Sequence, residues 1–125
     1  MDMHQEALDV LKATSRTFYI PISLLPPGLL EAVASAYLCM RAIDEIEDHP
    51  ALDHSKKSEL LRIVSLTLQS TDENFAVRDL PVVLKASNGL LPEVTTRLGE
   101  WLALAPNTIG PRIGDAIAAM ADRMA

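Results

Sequence analysis

The sequence predicts an all-α fold, and three observations support that prediction. Apolar residues recur at helical spacing along much of the 125-residue chain, and no segment alternates convincingly as a strand would. Five of the eight prolines separate these helical segments. The aromatic content is only 4%, which fits a helical core of Leu, Val, Ile and Ala. With 49% hydrophobic residues, the chain can bury one modest core, so residues 1–125 are expected to form a single domain.

The first part of the chain predicts a short helix, a connector and the longest helix. Residues 3–14 suit the short helix, and SRTFYIPISLLPPG is expected to break it, because prolines cannot continue a helix interior. From Pro27, which suits a first helical turn, GLLEAVASAYLCMRAIDEIED predicts one helix of roughly 20 residues. His49-Pro50 is expected to end it.

Shorter helices are predicted in the rest of the chain. Residues 55–69 form an amphipathic pattern with Ser55 as its candidate N-cap, and the polar STDEN follows as a loop. Further helical patterns cover residues 79–88, 92–105 and 111–124. The last pattern reaches the terminus without a cap or polar tail, so we expect the chain to be cut within a helix.

Charge and cysteine content exclude several classes of partner and compartment. The net charge of −6, the pI near 4.9 and the scattered basic residues argue against general affinity for nucleic acid or anionic lipid. The single cysteine, Cys39, cannot form an intramolecular disulfide, so a cytoplasmic location is expected. No stretch resembles a secretory signal, and none reaches the roughly 20 apolar residues that span a bilayer. Contact with a membrane surface stays open.

Four carboxylates crowd the stretch RAIDEIEDHP at residues 41–50. On a helix, Tyr37, Arg41, Asp44 and Asp48 fall within about 60° of arc and form one stripe, which we call the acidic stripe. The opposite face is apolar and is expected to pack against other helices. Toward the N-terminus the stripe itself becomes apolar, as would suit a pocket with a charged mouth. The residues of this expected apolar floor are Leu30, Val33 and Ala34.

The energetic cost of the acidic stripe points toward a metal ion. Two carboxylates about 6 Å apart repel by roughly 0.7 kcal/mol in water and roughly 3 kcal/mol at an effective dielectric of 20. Acids at a helix C-terminus also oppose the helix macrodipole. A divalent cation would relieve both penalties, and oxygen ligands favour Mg²⁺ or Mn²⁺ over zinc. The alternative, left open by spacing alone, is a solvated acidic face.

Other candidate groups have structural alternatives as well. Ser15 and Arg16 follow a helix end, where they could grip a phosphate or satisfy local backbone groups. Arg41 could bind a phosphate or pair with acids one turn further along its helix. Tyr37 could hydrogen-bond within a pocket or simply present a wet hydroxyl.

Two blocks of sequence together resemble the squalene/phytoene synthase family. They are SRTF at residues 15–18, followed by LPPGLLEAV, and YLCMRAIDEIED at residues 37–48. The second block resembles the family's pattern of Tyr, three residues, Arg and the first aspartate-rich sequence. Its sequence is more similar to the pattern of squalene synthases than to that of phytoene synthases. The resemblance implies an isoprenoid-synthase helical bundle around a central cavity. It also implies joining two prenyl diphosphates, farnesyl or geranylgeranyl diphosphate, head to head into squalene, dehydrosqualene or phytoene.

The same resemblance assigns roles to the acidic helix. Asp44, Glu47 and Asp48 would hold Mg²⁺, or Mn²⁺, bridging the substrate diphosphate. Tyr37 would lie beside the reacting carbons as a proton acceptor or a cation stabiliser. NADPH would be needed only if the product is squalene, and the chain carries no glycine fingerprint for a nicotinamide cofactor.

It also assigns roles to the residues that contact substrate. Ser15, Arg16 and Arg41 would contact diphosphate oxygens, and Phe18 would lie near the cavity. A head-to-tail synthase or terpene cyclase would share the acidic helix but should lack the SRTF block, which argues against that alternative.

The resemblance covers only the family's N-terminal half. Family members are about twice this length or more and carry a second aspartate-rich sequence, which the isolated Asp115 and Asp122 do not match. We therefore expect the 125-residue chain to be inactive alone and to expose an apolar face that drives oligomerisation. The remaining alternative is a non-catalytic helical relative that binds a prenyl lipid or a partner subunit.

Overall fold

The computed structural model describes residues 3–69 and 91–125, and within these ranges it is helical and contains no strand. The predicted all-α class is confirmed. The predicted STDEN loop and the helix over 79–88 lie outside the described residues. The helices are α1 (Met3–Thr14), α2 (Arg16–Ser23), α3 (Leu29–Glu47), α4 (His54–Gln69), α5 (Glu93–Thr96), α6 (Leu98–Leu104) and α7 (Gly110–Met124).

α2 corrects the prediction that residues 15–28 form an irregular connector. The helix runs over Arg16–Ser23 with Pro21 inside it. Ser15 begins it as an N-cap, because its hydroxyl accepts the Phe18 N–H at 3.3 Å. Burial of Ile22 anchors the other end. Capping and burial thus offset the backbone bond that proline removes, and the chain breaks only after Ser23.

α3 confirms the long predicted helix, although it begins at Leu29 rather than at Pro27. Gly28 is its N-cap with φ of 89°, a left-handed conformation that glycine adopts without strain. The Glu31 carboxylate accepts the Gly28 N–H, which satisfies one of the free donors at the helix start. The helix ends at Glu47, with Asp48 as its C-cap.

α4 confirms the amphipathic helix but corrects its cap. Asp53, and not Ser55, begins the helix, since its carboxylate accepts the Lys56 N–H at 2.8 Å. The apolar residues predicted to face the core are buried. They are Leu60, Leu61, Val64 and Leu68.

The helix predicted over residues 92–105 is two short helices, α5 and α6, joined at Arg97. The Arg97 guanidinium forms ion pairs with Glu93 at 2.9 Å and Glu100 at 2.7 Å, and it lies 4.5 Å above the Trp101 ring. The Trp101 indole N–H donates to the Val94 carbonyl at 2.9 Å, a side-chain bond that hydropathy patterns do not reveal. These contacts stabilise a corner instead of a continuous helix.

The core forms where α3 packs against α5, α6 and α7, and where α4 packs against α7. Trp101 and Leu98 are fully buried at its centre, while Ser65 donates to the Ala118 carbonyl at 2.8 Å between α4 and α7. α7 confirms the last predicted helix to within one residue. None of the described helices is both long and apolar enough to cross a membrane.

Candidate functional site

α3 presents the acidic stripe on one side and its core contacts on the other. The predicted apolar face is buried apart from Ala36, which is half-buried. Its fully buried members are Leu38, Cys39, Ala42, Ile43 and Ile46. On the stripe, Tyr37, Arg41 and Asp44 are half-buried. Hydrophobic anchoring on the back therefore sets which α3 side chains face outward.

The apolar floor expected beneath the stripe is mostly covered by protein. Leu30 is 8% exposed and Ala34 is fully buried, and only Val33 is half-buried. Among the described residues, these side chains therefore contribute more to packing than to an open pocket.

The two sequence blocks meet at a pair of aromatic rings. The centroids of Phe18, on α2, and Tyr37, on α3, lie 5.1 Å apart with the ring planes inclined at 36°. This separation is typical of a favourable aromatic pair. Phe18 is still 52% exposed. The fold thus brings the SRTF block against the start of the acidic stripe and leaves part of the aromatic surface accessible.

Asp44 lies in the least favourable electrostatic position on the stripe. Partial burial raises the pKa of its carboxyl above the ordinary value of 3.8, and the nearby carboxylates of Asp48 and Glu45 raise it further. Arg41 opposes these effects and lowers the pKa. A carboxylate that is both partly desolvated and repelled by its neighbours gains most from a cation beside it.

Arg41 adopts the structural pairing that its spacing allowed. Its guanidinium forms an ion pair with Glu45 at 2.5 Å, one turn along α3. The side chain is 40% exposed, yet its Nε is buried without a hydrogen-bond partner. Arg41, a member of the acidic stripe, therefore has one buried N–H, at Nε, without an acceptor.

The metal-binding role of Asp44, Glu47 and Asp48 stays a prediction. Glu47 and Asp48 are exposed at the end of α3. Within residues 3–69 and 91–125, no group of three or more His, Cys, Asp or Glu side chains is arranged to hold a metal ion. The residues nevertheless fit Mg²⁺, which commonly takes one or two carboxylates and completes its shell with waters and phosphates.

Ser15 and Arg16 lie at the junction of α1 and α2. The Ser15 hydroxyl caps α2, while Arg16 is exposed. No hydrogen bond or ion pair between described residues joins either one to the acidic stripe. Together with Lys12 they line an open surface depression at the start of α2. Their predicted contact with diphosphate remains untested by this geometry.

Thr95 was absent from the sequence-based candidates, although it contacts the back of the same helix. Its hydroxyl donates to the Ala42 carbonyl of α3 at 2.9 Å. The two residues are 53 positions apart in the chain, and neither belongs to a recognisable motif. No local sequence signal could have revealed this contact.

Comparisons with known proteins identify several relatives of this chain. Squalene synthase of Schizosaccharomyces pombe is 40% identical over 60 residues, which cover 48% of this chain and 13% of the relative. Squalene synthase ERG9 of Saccharomyces cerevisiae is 43% identical over 54 residues, covering 43% and 12%. The probable squalene synthase of Neurospora crassa is 32% identical over 111 residues, covering 74% and 23%. No solved structure shows a significant match to the chain.

The chain spans only 12–23% of the length of these three relatives. The model of the family described as squalene/phytoene synthase nevertheless matches residues 11–121, which include both sequence blocks and α3 to α6. A match over nearly the whole chain shows that it belongs to the squalene/phytoene synthase family.

Proposed function

We propose that the protein takes part in Mg²⁺-dependent head-to-head condensation of two prenyl diphosphates, with release of diphosphate. The observation that supports this most directly is the contact between Phe18 and Tyr37, 5.1 Å apart. It joins the Ser-Arg-x-Phe block to the helix that carries the acids, as one substrate site would require. Family membership supports the reaction class.

Asp44 and Asp48, with Glu47 beside them, are the groups we expect to hold the metal. Their oxygen-only donor set suits Mg²⁺, and Mn²⁺ could replace it. When bound, the ion offsets the negative charge that develops on the departing diphosphate. Partial burial and the neighbouring carboxylates, which raise the pKa of Asp44, both disfavour its charged form, and a bound cation would offset them.

Arg41 is the stripe residue best placed to bind diphosphate oxygens. Arg41 pairs with Glu45, yet its side chain is 40% exposed. We expect the guanidinium to exchange or share its Glu45 contact when substrate binds. Ser15 and Arg16 would contact the diphosphate from the start of α2.

The paired rings of Tyr37 and Phe18 are suited to the carbocation that diphosphate departure leaves behind. An aromatic face attracts a cation without acting as a strong nucleophile. Excluding water from this region would protect the cation from capture, and Val33 could contribute. Tyr37 also carries the hydroxyl that we propose as a proton acceptor.

Squalene is the product we favour, because the three relatives described above are named squalene synthases. Its formation requires a hydride, so NADPH would be the reductant. Without a hydride donor, the same condensation would give dehydrosqualene or, from geranylgeranyl diphosphate, phytoene. Because such hydrocarbons partition into lipid, we expect peripheral contact with a membrane during product release.

The test is to incubate the full product of the gene with farnesyl diphosphate and Mg²⁺, with and without NADPH, and to identify the hydrocarbon formed. Squalene that appears only with NADPH would support the proposal. Binding of farnesyl diphosphate without turnover would favour the non-catalytic relative. If the protein neither bound nor converted any prenyl diphosphate, the proposed function would be overturned.

Replacing the stripe acids should remove metal-dependent turnover. In the full product of the gene, we expect Asp44→Ala or Asp48→Ala to lower the rate of diphosphate release by about 10²-fold or more, the scale typical of lost electrostatic stabilisation. The matched control is Glu59→Ala on α4, a 60% exposed acid whose ion pair with Lys56 is long at 3.6 Å. Undiminished release in either stripe variant would remove that residue from the mechanism.

A further inference from the structure

A buried hydroxyl reaches the back of α3 immediately behind the acidic stripe. Thr95 is fully buried on α5, and its Oγ1 donates to the Ala42 carbonyl at 2.9 Å. Ala42 is adjacent to Arg41 and lies two residues before Asp44. The bond therefore attaches to the turn of α3 that carries Arg41 and Asp44.

The same corner makes a second contact with this turn. The Cys39 thiol lies 4.0 Å from the Leu98 carbonyl, and both residues are fully buried. The Trp101 indole fixes the corner itself by donating to the carbonyl of Val94, the neighbour of Thr95. The α5–α6 corner thus holds α3 between positions 39 and 42.

A hydrogen bond supplies something that the surrounding apolar contacts do not. The hydrophobic stabilisation from packed Leu, Ile and Ala side chains is non-directional. A hydroxyl donating to one backbone carbonyl constrains both distance and direction. Because Arg41 and Asp44 project from the other side of α3, a small rotation would move their charged ends.

We propose that Thr95 is a positioning residue, which fixes the rotation of α3 and thereby the orientation of Arg41 and Asp44. The inference rests on the proposed function, since a positioning role requires a site to position. It adds a residue that neither sequence block contains.

The test compares two threonine variants with a matched control. Thr95→Val removes the hydroxyl and keeps the shape, whereas Thr95→Ser keeps the hydroxyl. Ser65→Ala is the control, because Ser65 also donates to a buried helix carbonyl, Ala118 at 2.8 Å, but between α4 and α7. Both Thr95→Val and Ser65→Ala should lower the melting temperature by several degrees.

The decisive readout is the NMR nuclear Overhauser contact between the rings of Phe18 on α2 and Tyr37 on the acidic stripe of α3, whose centroids lie 5.1 Å apart. We expect Thr95→Val to weaken this contact, because a rotation of α3 moves Tyr37 relative to α2. Thr95→Ser should restore the wild-type contact. Ser65→Ala should leave it unchanged despite its lower melting temperature.

An unchanged contact between the Phe18 and Tyr37 rings in Thr95→Val would overturn the inference, as would an equal change in Ser65→Ala. If Thr95→Val does not fold, Thr95→Ala replaces it as the hydroxyl-free variant, and failure of both to fold would assign Thr95 to folding instead. Because no ligand is used, these results are independent of the proposed function. If the full product of the gene were inactive on prenyl diphosphates, that result would contradict the proposed function and would leave the measured contact of Thr95 with α3 in place.

Discussion

Asp44 is a residue at which folding and binding make opposite demands. Burial and the Asp48 charge raise its pKa, so the folded protein holds the proton more tightly than the unfolded chain. Because proton binding and folding are linked, Asp44 stabilises the fold at pH values below its pKa in the unfolded chain, which is near 3.8. This stabilisation is lost as the pH rises through the pKa in the folded protein. The ionised carboxylate therefore lowers the free energy of unfolding at neutral pH, and a bound cation would offset this loss.

Asp44→Asn should consequently stabilise the fold at pH 7 and not at pH 3. We expect a gain of less than about 1 kcal/mol, because solvent screens a half-exposed charge. Urea unfolding at the two pH values measures it, with Glu59→Gln on the exposed face of α4 as control. A variant less stable than wild type at pH 7 would contradict the assigned electrostatic penalty.

Cys39 should be chemically inert in the folded protein. The thiol is fully buried, and burial raises its pKa to about 12, so almost no thiolate exists at neutral pH. Ellman's reagent at pH 8 should therefore react only as fast as α3 opens, and at once in denaturant. Immediate reaction of the native protein would show that the back of α3 is not closed.

At the scale of residues, the candidate residues could be predicted from the sequence, but the groups that they contact could not. Arg41 had two candidate roles, and the structure shows its pairing with Glu45 at 2.5 Å. The ring contact of Phe18 with Tyr37 joins residues whose proximity only a family resemblance suggested. Thr95 could not be found, because its partner is a backbone carbonyl, and every residue has one.

At the scale of elements, the Ser15 cap is one of two features that stabilise α2, the other being the burial of Ile22. α2 has only 8 residues and contains Pro21, so it has little intrinsic stability. Ser15→Ala should cost about 1 kcal/mol by removing the acceptor of the Phe18 N–H. The loss should appear as a lower urea midpoint.

The matched control for this cap is Ser23→Ala at the other end of α2. The Ser23 hydroxyl only donates to the Ile20 carbonyl at 2.9 Å, so its removal should change stability by less than about 0.5 kcal/mol. Equal effects of the two substitutions would contradict a specific role for the cap.

Elements with long apolar periodicity were predicted well, and short ones were not. α1, α3 and α7 match their predicted ranges to within about two residues, the usual uncertainty of helix ends. α2 was missed because proline is a local signal, whereas the burial of Ile22 that opposes it is a tertiary effect. The corner at Arg97 was missed because its ion pairs include Glu6, a residue of α1.

At the scale of the whole molecule, the candidate site residues lie on α3 and at the neighbouring start of α2. Both blocks that define the family resemblance lie within residues 15–48, and the structure brings them together. The second aspartate-rich sequence expected of the family is not recognisable among the remaining residues. The chain spans only 12–23% of the length of the three relatives, and the family resemblance supports residue assignments on α2 and α3 alone.

An exposed apolar surface on α2 and the start of α3 should make the chain self-associate. Phe18, Ile20, Leu24 and Leu29 are each more than half exposed, within 12 residues of one another. Fully burying one such side chain contributes roughly 1.5–3 kcal/mol, so two copies could bury several of them favourably. We expect sedimentation velocity to show dimers or larger species that increase with concentration.

Charges placed on this surface should prevent that association. Ile20→Lys with Leu24→Lys disrupts the apolar surface and leaves Phe18 in its contact with Tyr37. Leu66→Lys is the control, since Leu66 is 69% exposed but lies on α4. The double variant should sediment as a monomer and the control like wild type, because a lysine ammonium loses its hydration if it is buried against hydrocarbon. A wild-type chain that stays monomeric at every concentration would show that this surface does not bind a second copy.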